Sequence, residues 1–213
     1  EGITKIDDLS FSNENGNYPN IKNVRIGNSV TSIGDSAFFT CSSLTTVAIP
    51  DSVTSIGNYA FLQCISLASV NIPDSVTTID DKAFYSCKAL ALTSLPKSLT
   101  SIGGNAFDSC KGIALTSLPE KITSIGSNAF YGCIGIVLTS LPKSLTSIGG
   151  SAFRKCTGLT SITFEGTPTS IASSAFYECT NLTTINVPWA EGAVANAPWD
   201  ATNATINYNY TGG

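Results

Sequence analysis

Residues 32–61 read SIGDSAFFTCSSLTTVAIPDSVTSIGNYAF, and the stretch says nearly the same thing twice. Ser-Ile-Gly leads to Ala-Phe, then to Cys41, then to an apolar run closed by Pro50, and the order begins again. Extended along the chain, the cysteines fall at 41, 64, 87, 110, 133, 156 and 179, a constant step of 23 residues. Phe38, Phe61, Phe84, Phe107, Phe130, Phe153 and Phe176 keep that step, as does the column from Ile33 to Ile171. A third apolar column runs Leu44, Leu67, Leu90, Ile113, Ile136, Leu159 and Leu182. A proline column from Pro50 to Pro188 lapses only at Glu165. No insertion disturbs the register between residues 18 and 188.

A fixed period of this length is the mark of stacked copies, each contacting mainly its neighbours. Within one copy, Val47 and Ile49 alternate with Thr46 and Ala48, as on a half-buried strand. Pro50 ends that strand because it has no amide to give a ladder. Val53 and Ile56 mark a second extended piece, closed by Gly57. In NYAFLQC, residues 58–64, Phe61 and Cys64 are three apart, which predicts one short helical turn. Such a coil cannot bury its own apolar face, but stacked coils share one continuous core. Roughly eight coils at one parallel-strand spacing make a body on the order of 40 Å long.

The stretch LTTVAIPDSVTSIGNYAFLQC, residues 44–64, resembles the BspA-like leucine-rich repeat family. The resemblance covers about residues 18–188. It implies a curved leucine-rich repeat solenoid, with a parallel sheet built from one strand per repeat, a second short extended segment and a short helical turn. It also implies an exported, extracellular or cell-surface protein acting in adhesion or host binding. The family pattern brings no catalytic residues. Residues 1–17 are expected to form an N-terminal cap, 18–188 a solenoid of about eight repeats, and 189–213 a C-terminal cap in which Trp189 and Trp199 plug the last coil or form a glycan platform.

Three consecutive copies depart from the pattern. They read LALTSLP, IALTSLP and IVLTSLP, so Thr93, Thr116 and Thr139 stand at the inward place of Val47. Leu92, Leu115 and Leu138 then take outward positions. Two readings are open. A bulge re-aims the leucines into the core, or they form an exposed apolar stripe for a ligand. The residue after each Phe is a second candidate contact, with Tyr85, Tyr131 and Tyr177 as amphipathic anchors or as simple shields of the core.

Seven cysteines, one per coil, suit small buried free thiols better than a disulfide framework, because neighbouring copies present them in parallel. The chain has no His, which excludes Ser-His and Cys-His nucleophile pairs, and no CxxC pair that would suggest zinc. No cofactor or metal is implied, and no enzyme activity is expected. With 11 Lys and Arg against 15 Asp and Glu, no basic stripe points to nucleic acid. No apolar run is long enough to span a bilayer, and no export signal is visible at residue 1. The expected partner is a host or neighbouring-cell protein or glycan, met by a monomer. The alternative is a structural spacer that presents another domain.

Overall fold

The computed structural model describes residues 3–12 and 20–212. It is a solenoid of parallel sheets. Along one side, the two-residue strands Lys5–Ile6, Ser32–Ile33, Ser55–Ile56, Thr78–Ile79, Ser101–Ile102, Ser124–Ile125, Ser147–Ile148 and Ser170–Ile171 form one eight-stranded sheet. From Ser32–Ile33 to Ser147–Ile148 each strand pairs with the residues 23 positions on, as in Ile56 with Ile79. On the other side, Asn23–Arg25, Thr46–Ala48 and Ser69–Asn71 make a three-stranded sheet. Ser140–Leu141, Ser161–Phe164, Thr184–Asn186 and Thr205–Asn207 make a four-stranded one. Residues 90–95 and 113–118, which separate these two sheets, carry no strand.

The columns read from the sequence are the core. The Phe rings stack from Phe11 through Phe176 with centroids 5.1–5.5 Å apart and planes within 12°. Burying each ring contributes about 1.5–3 kcal/mol, and each offset pair about 0.5–1.5 kcal/mol more. The N-terminal segment therefore supplies both a strand and the first ring. Tyr18, the residue at the cysteine place of that first copy, lies outside the described residues. At the far end, Trp199 packs on Phe176 at 6.4 Å and donates its Nε1–H to the Ala195 carbonyl. Trp189 and Trp199 are buried, so they close the core and present no ring face to a glycan.

The expected helical turn is absent: the described residues contain no helix. The physical reason is where the amides go. Phe38 donates to Ala60 and Thr40 to Leu62, both on the next coil, at 2.7 and 2.8 Å. A helix would have kept those donors for itself. The segment instead forms turns with left-handed residues such as Tyr59, Lys82 and Asn105. Each costs roughly 1–2 kcal/mol for a side chain other than glycine. The inter-coil bonds on either side hold that conformation.

The thiol column has an equally local cause. Each Sγ–H donates to the Phe carbonyl of the preceding coil, as Cys64 does to Phe38 and Cys133 to Phe107, both at 3.1 Å. The same Phe38 carbonyl accepts the Cys41 amide of its own coil. A small, apolar side chain with one weak donor fits this slot, and cysteine is such a residue. All seven thiols are free and buried.

The copies with LTSLP settle the inward-or-outward question. Leu92, Leu115 and Leu138 are buried, at 7%, 0% and 1% exposure, while Thr93, Thr116 and Thr139 are exposed. The expectation of an exposed leucine stripe is therefore corrected, and these three residues are core. In an ordinary copy the buried positions are 44, 47 and 49; here they are 90, 92 and 95. The gaps of three and two have changed places. A one-residue slip of this kind turns each side chain to the opposite face.

The slip also moves the acceptor that meets the next coil. Ala68 donates to the Thr45 carbonyl, but Ala114 donates to Leu92 and Val137 to Leu115. The carbonyls of Leu90, Ile113 and Ile136 now face the following coil. A Cβ on Gly112, Gly135 or Gly158 would stand 2.6, 2.6 and 2.4 Å from those oxygens. The coils that follow unslipped copies carry Ser66, Ala89 and Asn181 at this place. Gly135→Ala is accordingly expected to cost about 1–3 kcal/mol, and Ser66→Ala close to nothing. Urea melts of the two variants check this; equal midpoints would refute the coupling between slip and glycine.

Candidate functional site

The three tyrosines lie on the turn edge of the coils, and the structure treats them differently. Tyr177 is 39% exposed; Tyr131 and Tyr85 are half-buried. Arg154, from the intervening coil, stacks between Tyr131 and Tyr177, its guanidinium 5.4 and 4.7 Å from the two ring centroids. Glu178 accepts from Arg154 Nη2 and Nε at 3.3 and 3.4 Å, and Lys155 Nζ lies 3.4 Å from the same carboxylate. Lys155 also sits 5.4 Å over the Tyr131 ring. The hydrogen bond from Arg154 holds the Glu178 carboxyl below its ordinary value, and the same bond raises Arg154. Tyr85 stays apart from this group. Asp108 occupies the column between Tyr85 and Tyr131, buried and accepting from Asn105 Nδ2 and Ser109 Oγ.

The pairing follows from the period. Residues 23 apart are stacked, so a Tyr, Arg, Tyr sequence at 131, 154 and 177 becomes a layered stack of flat groups. Planar cations on aromatic faces are favourable there. The sequence reading singled out the tyrosines of this column and gave no role to Arg154, which stands between Tyr131 and Tyr177 in it.

A second feature follows the same period. In the first four coils, the side chain after Ser-Ile-Gly or its equivalent accepts the amide of the next coil. Asp8 Oδ1 takes the Asp35 amide at 2.9 Å, Asp35 takes Asn58 at 2.7 Å, Asn58 takes Asp81 at 3.2 Å and Asp81 takes Gly104 at 2.6 Å. The series then stops, because Gly104, Ser127 and Gly150 follow. An open groove of about 660 Å³ runs beside these residues. A third column, Thr31 to Thr169, is exposed except at the half-buried Thr100, and its hydroxyls are occupied: each donates to the threonine carbonyl one coil back, as Thr123 does to Thr100 at 3.0 Å.

Among the described residues, no group of three or more His, Cys, Asp or Glu is placed to hold a metal ion. No helix there is long and apolar enough to cross a membrane.

Comparison with known proteins agrees with this architecture. The model of the BspA type leucine rich repeat region matches residues 4–137 and 77–194. A leucine rich cell surface protein from Faecalibacterium prausnitzii is similar at 29% identity and TM-score 0.69, over 87% of this chain and 59% of that one. The Treponema pallidum (T. pallidum) leucine rich repeat protein is similar at 30% identity and TM-score 0.69, over 76% of this chain and 78% of that one. The pneumococcal vaccine antigen PcpA shares the fold at 17% identity and TM-score 0.53, over 90% of this chain and 61% of that one. No curated relative matches the chain by sequence. The chain spans less than two thirds of the length of the Faecalibacterium protein. With the family model covering most of its length and the coil geometry agreeing, the chain belongs to the BspA type leucine-rich repeat family.

Proposed function

We propose that this chain is a cell-surface or secreted binding module, whose repeat surface contacts a host or neighbouring-cell protein or glycan. The observation that carries the reading is the Tyr131–Arg154–Tyr177 stack. It is an aromatic and cationic edge on a stack of hydrogen-bonded coils, and tyrosine and arginine are the residues that most often anchor partners. Likeness to a leucine rich cell surface protein supports the location. A structural spacer is the second reading, favoured by the unbroken step of 23 residues and the sameness of the coils. No catalytic role is assigned to any residue.

A screen of the chain against extracellular-matrix proteins and a glycan array separates the two. A binding module should give a saturable partner. Tyr131→Ala with Tyr177→Ala should then weaken it by about tenfold or more without lowering the melting temperature appreciably. Failure to bind any of these partners would favour the spacer. Binding that survives both substitutions would move the contact away from this edge.

A further inference from the structure

We infer that the slipped copies form a bending joint, at which the two halves of the solenoid change their angle to one another. The joint is independent of what the surface binds.

The coils are tied together along three sides, and the ties differ. On the Ser-Ile side the ladder runs unbroken through the slipped copies, pairing Thr78–Ile79, Ser101–Ile102, Ser124–Ile125 and Ser147–Ile148 in turn. The glycine after each strand adds a bond, from the Gly103 amide to Ile79, Gly126 to Ile102 and Gly149 to Ile125, all at 2.8 Å. On the turn side, Lys82 donates to Gly104, Asn105 to Ser127 and Asn128 to Gly150. The third side is interrupted. Its three-stranded sheet ends at Ser69–Asn71, and its four-stranded sheet begins at Ser140–Leu141. Across that gap one backbone–backbone bond per pair of coils remains: Ala91 to Ala68 at 3.2 Å, Ala114 to Leu92 at 2.8 Å and Val137 to Leu115 at 3.0 Å. The amides of residues 92–95 and 115–118 have no acceptor among the described residues. An open crevice of about 290 Å³ lies between these two coils, lined by Ser94, Leu95, Ser117 and Leu118.

The cause is local. Leu92 and Leu95 are buried while Thr93 and Ser94, two successive residues, are exposed. A strand sends successive side chains to opposite faces, so this stretch cannot keep the strand conformation that a ladder needs. What remains on this side is leucine packing. Apolar packing is non-directional, whereas a hydrogen-bond ladder fixes distance and angle together. Segments with few backbone bonds are where a fold opens most easily, and a hinge needs only a few residues that absorb the change. Two tied sides and one loose side give the stack one direction of easy bending. That bend alters the angle between the three-stranded and four-stranded sheets, and with it the curvature of the repeat surface.

The test is a pair of nitroxide distance measurements on the whole chain. One pair of labels, on Ser69→Cys and Ser161→Cys, crosses the interrupted side; the other, on Thr77→Cys and Thr169→Cys, crosses the Ser-Ile side. All four positions are exposed, and the native thiols are buried away from the labelling reagent. Each pair is 92 residues apart, which is four coils or about 19 Å. The first distance distribution is expected to be at least about twice as broad as the second. The amides of Leu92, Leu95, Leu115 and Leu118 should exchange with deuterium at least about tenfold faster than those of Gly103 and Gly126 in the same coils. A repaired variant carries the chain's own unslipped stretch, LASVNIP of residues 67–73, in place of residues 90–96, 113–119 and 136–142. It should narrow the first distribution to the width of the second. If the repaired variant does not fold, the two distributions in the parent still decide. The proposal is overturned if those distributions are equally broad, if the four leucine amides exchange as slowly as the glycine amides, or if a folded repaired variant stays broad.

Discussion

Replacing Leu92, Leu115 and Leu138 together by serine is expected to abolish the folded stack at room temperature. Each side chain is buried beneath the slipped copies. Truncating one buried leucine costs about 2–5 kcal/mol, and a hydroxyl placed in the resulting cavity adds to that. Three such losses match or exceed the net stability of an ordinary domain, about 5–15 kcal/mol. The damage is concentrated, because the residues belong to three successive coils. A solenoid transmits stability only between neighbours, so the flanking coils would lose their shared support in the middle. Leu115→Ser alone should leave a folded protein with a much lower melting temperature. Exchanging the exposed Thr93, Thr116 and Thr139 for serine should change little. Calorimetry of these variants decides the matter: a triple leucine variant melting near the parent would show that the leucines are not core.

The second large effect is alkaline unfolding. Desolvation by burial raises the thiols from an ordinary value near 9.0: Cys41 to about 11, Cys110 and Cys179 to about 12. Burial pushes Cys64, Cys87, Cys133 and Cys156 up as well. Above pH 9 the unfolded chain releases thiol protons that the folded chain keeps. Stability from this source is complete below pH 9 and is lost as pH rises toward the folded values. Each thiol steepens the loss by about 1.4 kcal/mol per pH unit, so all seven together can remove on the order of 10 kcal/mol within one unit. Urea midpoints should be nearly level from pH 7 to 8.5 and fall sharply by pH 10. The same chemistry makes the folded thiols slow toward disulfide reagents, whereas denatured protein should titrate seven. A midpoint unchanged between pH 8 and 10.5 would rule this out.

Much of the fold was written in the period. Columns of Phe, Ile, Leu and Cys at one step of 23 leave little choice but stacked coils with like residues in contact. The direction of Leu92, Leu115 and Leu138 was not legible from their own copies, because alternation alone fits either face. The deciding signal lay one coil later, in Gly112, Gly135 and Gly158, whose need for glycine arises only across coils. The helical turn was misread for a related reason. A spacing of three suits a helix when local bonds dominate, but here the amides of Phe38 and Thr40 reach the next coil. At the candidate sites, the tyrosines were visible as residues. Their arginine partner stands in the same column, but that it stacks between them, and that Asp8, Asp35, Asn58 and Asp81 form a ladder, depends on side-chain contacts between coils that residue type and spacing do not specify.

The bonds between coils also bear on how such a chain changes length over generations. Thiols reach back to the carbonyl of the coil before, as Cys87 does to Phe61, while turn amides reach forward, as Phe61 does to Ala83. Every ordinary coil thus ends in the fittings with which it began. Duplication or loss of one whole unit by recombination recreates the same join, whereas a single inserted residue misaligns everything downstream. Copy number is then free to drift under selection for reach, and only a slipped copy carries a constraint, since it must bring its following glycine with it.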